Sequence, residues 1–251
     1  VRIYRASINL MKIMQEFDNI VGYWKFDEAY GTTTYDSSGE GNDGTYHGET
    51  FSHGTLYDAN TTNDDGDTPP QWTSGKYGKA LSFDGVDDYV EADSVSEDIS
   101  SSDYSLCFWV KGDRTSAQEF VVGINDQAGN NRVLYGHKAD GSKFATWYSN
   151  EWYNTTATVF DGDWHFICVV NDLTNSKHRV YVDGNFDSEF NFGVNISSTD
   201  HFSIGMEYDG SDLSDFFQGI VDEFHVYNRI LSQSEIQSIY ENNTFILSIL
   251  P

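Results

Sequence analysis

Between Ala80 and Tyr227 the chain passes through eleven short segments that alternate or run apolar, each bounded by Gly, Asn, Asp or Ser. They are 80–83, 88–91, 105–111, 119–124, 133–137, 144–148, 156–160, 165–171, 178–182, 202–206 and 219–227. Segments this short, spaced by turn signals and with little helical periodicity between them, predict an antiparallel two-sheet sandwich. Aromatic residues make up 16% of the chain and only three prolines interrupt it, which suits strands and supplies enough apolar material for a core between two sheets. At 251 residues, one large β domain accommodates the pattern.

The last segment, Gly219 to Tyr227, is followed by Asn228-Arg229-Ile230-Leu231-Ser232-Gln233-Ser234-Glu235-Ile236. Strict alternation would put Ile220, Asp222, Phe224, Val226 and Asn228 on one face and Val221, Glu223, His225 and Tyr227 on the other. Asp222 then shares a row with core residues and needs either solvent, a hydrogen-bonding partner or a cation. Ser232 and Glu235 form a capping box, so a short helix closes the domain. Asp183-Gly184 marks a hairpin, and residues 21–28 read as a first strand with Trp24 and Phe26 facing one way.

The closing stretch resembles the final strand and helix of the laminin-G-like, concanavalin A-like jelly-roll family. So do three other passages: GYWKFDEAYGTTTYDSSGEGNDG at 22–44, WTSGKYGKALSFDGVDDYV at 72–90 and DWHFICVVNDLTNSKHRVYVDG at 163–184. In order and at family-like spacing, they bracket residues 21–240. The resemblance implies an all-β jelly roll. It also implies a structural calcium joining the first strand, the loop after it and the closing strand. The matching positions are Asp27, the Gly44 carbonyl and Asp222, with Asn42 as a further oxygen donor. Calcium takes several hard oxygens of this sort. Asp84, Asp87 and Asp88 read as a turn beside which some relatives hold a second ion.

Outside residues 21–241, the domain expected to carry the jelly roll, two segments stand apart. Over 1–20, Ile3, Ser7, Leu10, Met11, Met14 and Phe17 recur at helical spacing, predicting an amphipathic extension. It reads either as a helix packed on the sandwich or as the stub of a stalk, membrane anchor or filament core. The tail, 242–251, carries Phe245, Ile246 and Leu247 and docks on its own domain or adds to a neighbour. Leu10, Met14, Phe17 and these three tail residues are the candidate assembly contacts. Residues 58–70 hold four acidic residues and two prolines and read as an exposed insertion.

A net charge of −26, from 40 acidic and 14 basic residues, argues against nucleic acid and against unassisted binding to anionic lipid. It suits a surface that attracts cations. Cys107 and Cys168 sit in apolar strand patterns and read first as buried thiols; whether they pair depends on a Cα separation that sequence does not show. There is no metal-type cysteine spacing, no signal peptide and no 18-residue apolar run. A start at Val1 reads as a processed or truncated chain. Asn60, Asn154, Asn195 and Asn242 open glycosylation sequons.

For catalysis, the resemblance directs attention to Glu-x-Asp-x-x-Glu, the carboxylate motif of laminarinase-like relatives. Here Glu91-Ala92-Asp93 is followed by Glu97, one residue too far, in Ser-rich sequence that reads as a loop leaving a strand. No Gly-x-Ser-x-Gly elbow is present and the six arginines show no cluster. Trp164 and His165 read as residues that fix a strand. For sugar binding, Trp147, Trp152 and Tyr153 are the candidates, with 149–152 expected as a hairpin tip and Tyr135 and His137 as neighbours. The expectation is a non-catalytic extracellular or cell-surface recognition and adhesion module with structural calcium, binding a glycan or a protein. The alternative is a structural subunit of a surface filament or layer; glycoside hydrolysis is disfavoured.

Overall fold

A computed structural model describes residues 19–48, 70–126, 128, 130–210 and 212–242. The expected N-terminal helix with Leu10, Met14 and Phe17, most of the acidic insertion, and the tail with Phe245, Ile246 and Leu247 lie outside them. In chain order the elements are β1 (Ile20–Trp24), β2 (Thr33–Thr34), β3 (Gly44–His47), β4 (Gln71–Ser74), β5 (Lys79–Asp84), β6 (Tyr89–Glu91) and α1 (Val95–Asp98). Next come β7 (Tyr104–Asp113), β8 (Glu119–Asn125), β9 (Asn131–His137), β10 (Ala145–Tyr148), β11 (Glu151–Asn154), β12 (Asp161–Asp172), β13 (Lys177–Val182) and β14 (Asn185–Phe190). The chain closes with β15 (His201–Ile204), β16 (Glu207–Asp209), β17 (Asp212–Ser214), β18 (Gln218–Tyr227) and α2 (Gln233–Asn242).

Two antiparallel sheets make the sandwich. Sheet A runs β14-β13-β12-β7-β18-β5-β4, and β1 joins the far half of β18; sheet B runs β11-β10-β9-β8-β15-β6-β3-β2. β16 and β17 form a separate hairpin. The core between the sheets is aromatic. Trp24, Phe108, Phe202 and Phe224 are fully buried, and Phe108 stacks on Phe224 at 5.0 Å. Burying a ring of this size is worth about 1.5–3 kcal/mol, to which ring pairing adds about 0.5–1.5 kcal/mol. A second cluster lies on the outer side of sheet A, where Leu231 and, from α2, Ile236 and Ile239 cover Cys107, Trp109, Phe166 and Cys168. Ser232 and Glu235 cap α2 reciprocally: the Ser232 backbone N–H donates to Glu235 Oε2 at 2.7 Å, and the Glu235 N–H to Ser232 Oγ at 3.3 Å.

Several expectations need correction. Ile20 is not helical; it opens β1 opposite Tyr227. Residues 156–160 are not a strand. Asp187 accepts from the N–H groups of Thr156 and Ala157, while Val159 and Phe160 both donate to the Ser142 carbonyl, so the segment is spent on turn contacts. The hairpin tip is Ser149-Asn150, both at left-handed φ (52° and 63°), and Trp152 lies inside β11 opposite Trp147. The cysteines are joined by a disulfide, with Cα atoms 4.1 Å apart. β18 does not alternate strictly. Asp222 faces Trp109 and His225 faces Cys107, three steps on β18 against two on β7. This β-bulge, with Glu223 at φ 51°, places Val221, Phe224 and Val226 in the core and turns Asp222 to the opposite side.

Candidate functional site

The bulge builds the first site, on the outer side of sheet A. Asp222 and Glu223 are buried there side by side, at 0% and 1% exposure. The four-residue turn Gly75–Gly78, between β4 and β5, lies against them. The Tyr77 N–H donates to Asp222 Oδ2 at 3.0 Å, and the Lys79 N–H donates to Asp27 Oδ1 at 2.7 Å. Both flanking glycines are required by these carboxylates. An ideal Cβ on Gly75 would stand 2.5 Å from Asp222 Oδ2, and one on Gly78, at φ +57°, would stand 2.3 Å from Asp27 Oδ1. Glu223 accepts from the Tyr23 hydroxyl, whose ring stacks on His225 at 4.2 Å.

Burial, then the neighbouring Glu223, pushes Asp222 up to about 8, against the pull of backbone N–H groups. Burial and then Asp27 push Glu223 up to about 7, against Tyr23 and Lys25. Asp222 Oδ1 is buried with no hydrogen-bond partner. Two adjacent buried carboxylates, one with an orphaned oxygen, fit a hard cation, which would favour their charged forms. The other two expected ligands are engaged elsewhere. The Asn42 amide donates to the Val21 carbonyl and to Asp98 at 2.7 Å each. Gly44 pairs with Thr34 in the β2–β3 ladder. Among the described residues, the acidic groups whose ligand atoms lie mutually within 4.8 Å are Asp84, Asp87 and Asp88. The Asp84 N–H donates to Asp88 and the Val86 N–H to Asp84, as in a turn.

The second site is the outer side of sheet B. At its β10–β11 edge, the Trp147 and Trp152 rings are 5.1 Å apart and Trp152 stacks on Phe120 at 5.6 Å. Both rings are half-buried. Tyr153 points the other way, against Phe190 and Phe192 at 5.1 and 4.7 Å, so it belongs to the core rim. Tyr135 is fully buried and pairs its hydroxyl with that of Tyr104. His137 is equally buried, against Phe160. His165 bridges Asp183 and Asp161 and so pins β12 to the hairpin turn after β13.

Sequence reading missed the residues that surround Glu91 on this same outer side. Glu91 lies between Ser203 of β15 and Thr45 of β3. His47 Nε2 stands 3.2 Å from its carboxylate, and the His47 ring stacks on Tyr89 at 4.5 Å. Asp93, next on the same face, meets His201 Nδ1 at 2.7 Å, whose ring is 4.8 Å from Tyr208 on β16. The signal was present in the i, i+2 spacing of Tyr89, Glu91 and Asp93, but their partners come from segments 40 to more than 100 residues away. Also unflagged was Tyr30, 80% exposed between Ala29 and Gly31, both at left-handed φ.

Two facing antiparallel sheets, closed by a strand that returns to the first, define a lectin-type jelly roll. The chain belongs to the concanavalin A-like lectin/glucanase superfamily, whose model matches residues 84–237. Solved structures share the fold. Domain 4 of AbnA, an extracellular family 43 arabinanase from Geobacillus stearothermophilus solved in complex with arabinotriose, is 21% identical with a TM-score of 0.64, over 88% of this chain and 98% of that one. The binding domain of botulinum neurotoxin DC, solved with rat synaptotagmin II, is 11% identical with a TM-score of 0.62, over 91% of this chain and 52% of that one. The binding domain of Paraclostridial Mosquitocidal Protein 1 is 15% identical with a TM-score of 0.62, over 90% and 52%. The chain thus spans about half of these toxin domains. No curated protein matches it by sequence.

Proposed function

We propose that this chain is a non-catalytic extracellular recognition module that binds a glycan or protein ligand and holds a structural calcium ion. The observation that carries the recognition reading is the Trp147–Trp152 pair. Two indole rings sit on the solvent side of a sheet edge, backed by Phe120, where an aromatic face is of use to a ligand and of limited use to the core. The complex of the similar AbnA domain with arabinotriose, and of a similar toxin domain with synaptotagmin, supports a ligand of either kind. The disulfide and the extracellular setting of that arabinanase support the location.

Calcium would be held by Asp222, with Asp27 and Glu223 beside it, and would tie the closing strand to the first strand and to the turn between β4 and β5. Asp222 Oδ1 supports this reading, since it is buried and has no hydrogen-bond partner. Binding of plant and cell-surface oligosaccharides, measured by glycan array and calorimetry, tests the recognition reading. Loss of affinity in Trp152→Ala is expected. If no glycan and no cell-surface protein is retained by the wild-type chain, the reading is wrong.

A further inference from the structure

The outer side of sheet B offers more than its tryptophan edge. Tyr89, Glu91 and Asp93 follow one another along a single face of β6 and its exit. His47 and Thr45 lie beside them on β3, and Ser203 and His201 on β15. From the β16–β17 hairpin, the Tyr208 ring comes against His201 at 4.8 Å. The acidity of Tyr208 also registers these neighbours. Burial first, then the charges of Glu91, Tyr89 and Asp93, raise its hydroxyl, which places all four groups in one electrostatic neighbourhood.

The carboxylates stay open to solvent at 37% exposure each, and the two histidines at 33% and 30%. Each carboxylate already has a histidine ring nitrogen within reach, at 3.2 Å for Glu91 and 2.7 Å for Asp93. Outward-facing side chains of this kind add little to stability, as exposed ion pairs are worth about 0–1 kcal/mol.

Resting on the recognition reading, we infer that Tyr89, Glu91 and Asp93, with His47, His201 and Tyr208, form a subsite for a neutral, hydroxyl-rich saccharide. Two adjacent carboxylates accept hydrogen bonds from vicinal hydroxyls. The histidine ring nitrogens contribute further polar contacts, and the Tyr89 and Tyr208 rings give the C–H faces of a sugar an apolar surface. A carboxylate accepts but cannot donate while ionised. The site therefore rejects uronic or sialic acids, reinforced by the net charge of −26. Its site and its ligand charge both differ from what the tryptophan edge alone would predict.

The test uses calorimetry on the full chain with arabinotriose, xylotriose and cellotriose as neutral probes, trigalacturonate as acidic probe and chitosan trimer as cationic probe. Expected is binding of at least one neutral trisaccharide, no measurable binding of trigalacturonate, and affinity at least tenfold weaker in both Glu91→Ala and Tyr89→Ala. Phe186→Ala, which removes an exposed ring on the other sheet, serves as the control and should bind as wild type. Near-ultraviolet dichroism confirms that each variant keeps its packing. If Glu91→Ala binds a neutral probe as well as wild type while Trp152→Ala does not, the subsite is overturned and the recognition reading stands. Tighter binding of the chitosan trimer than of any neutral probe, or no binding of any trisaccharide, overturns the inference as well.

Discussion

Cys107 on β7 and Cys168 on β12 stand directly opposite one another, and their disulfide closes a stretch of 61 residues. The pair lies at the centre of sheet A, beneath α2, and restrains the chain that builds most of sheet B. Cross-linking ends this far apart removes unfolded-state entropy worth about 4 kcal/mol in the chain-entropy account. The double variant Cys107→Ala/Cys168→Ala should lose about 2–4 kcal/mol in urea unfolding. An unchanged midpoint would show that the bond adds nothing to the packing of the outer cluster.

A calcium ion held at Asp222 would have a direct thermal signature. Calcium a hundredfold above its dissociation constant adds about 2.7 kcal/mol to the native state, or roughly 5–10 °C for a domain of this size. Calorimetric scans with calcium and with a chelator should differ by that amount. In Asp222→Asn the two scans should coincide.

The pH dependence in chelator follows from the same pair. In the folded chain Asp222 and Glu223 take up their protons at about 8 and about 7, against ordinary values of 3.8 and 4.5, chiefly because they are buried. Between about pH 4 and pH 8 the folded state therefore binds more protons than the unfolded state, so these groups make stability fall as pH rises. Asp222→Asn should flatten that slope, and calcium should oppose it by favouring the ionised pair. A slope unaltered by the substitution would place the titrating groups elsewhere.

The turn from Gly75 to Gly78 is fitted to two carboxylates. Gly78→Ala puts a methyl group into the Asp27 carboxylate at a left-handed φ and should cost about 1–3 kcal/mol. Gly39→Ala, also at left-handed φ but facing open space, should cost less. Urea unfolding of both variants compares the steric part with the backbone part.

Tyr153 and Trp152 adjoin in sequence, but their rings pack on different partners, Phe190 and Phe192 for one and Phe120 for the other. Tyr153→Ala should lose about 1.5–3 kcal/mol, because its ring packs on Phe190 and Phe192. Trp152→Ala should show its larger effect in ligand affinity. Measured unfolding and binding energies for both variants would reveal an exchange of the two roles.

The sandwich was legible because turn signals and apolar runs are local. Asp183-Gly184 turns where expected, both residues at left-handed φ, and Ser232 caps α2 with Glu235. β14 was missed, since Asn185–Phe190 is a polar edge strand with no buried face to impose a pattern. The bulge in β18 was also missed, although Val221 and Phe224 are three positions apart, an odd spacing that alternation does not allow. Reading that spacing as a bulge would have removed Asp222 from the core row. The cysteine pairing and the face around Glu91 depend on which strands become neighbours, and no local spacing carries that information.

β18 meets β5 along its first half and β1 along its second, with Ile20 beside Tyr227. The polypeptide thus enters and leaves the sandwich at neighbouring points, after a circuit of about 200 residues. A ribosome must deliver nearly the whole domain before the first strand finds its partner, so β1 waits unpaired while sheet B is still being made. The same arrangement lets the module be spliced into a surface loop of a host protein, like a bead with both holes on one side, without stretching the host at the insertion point.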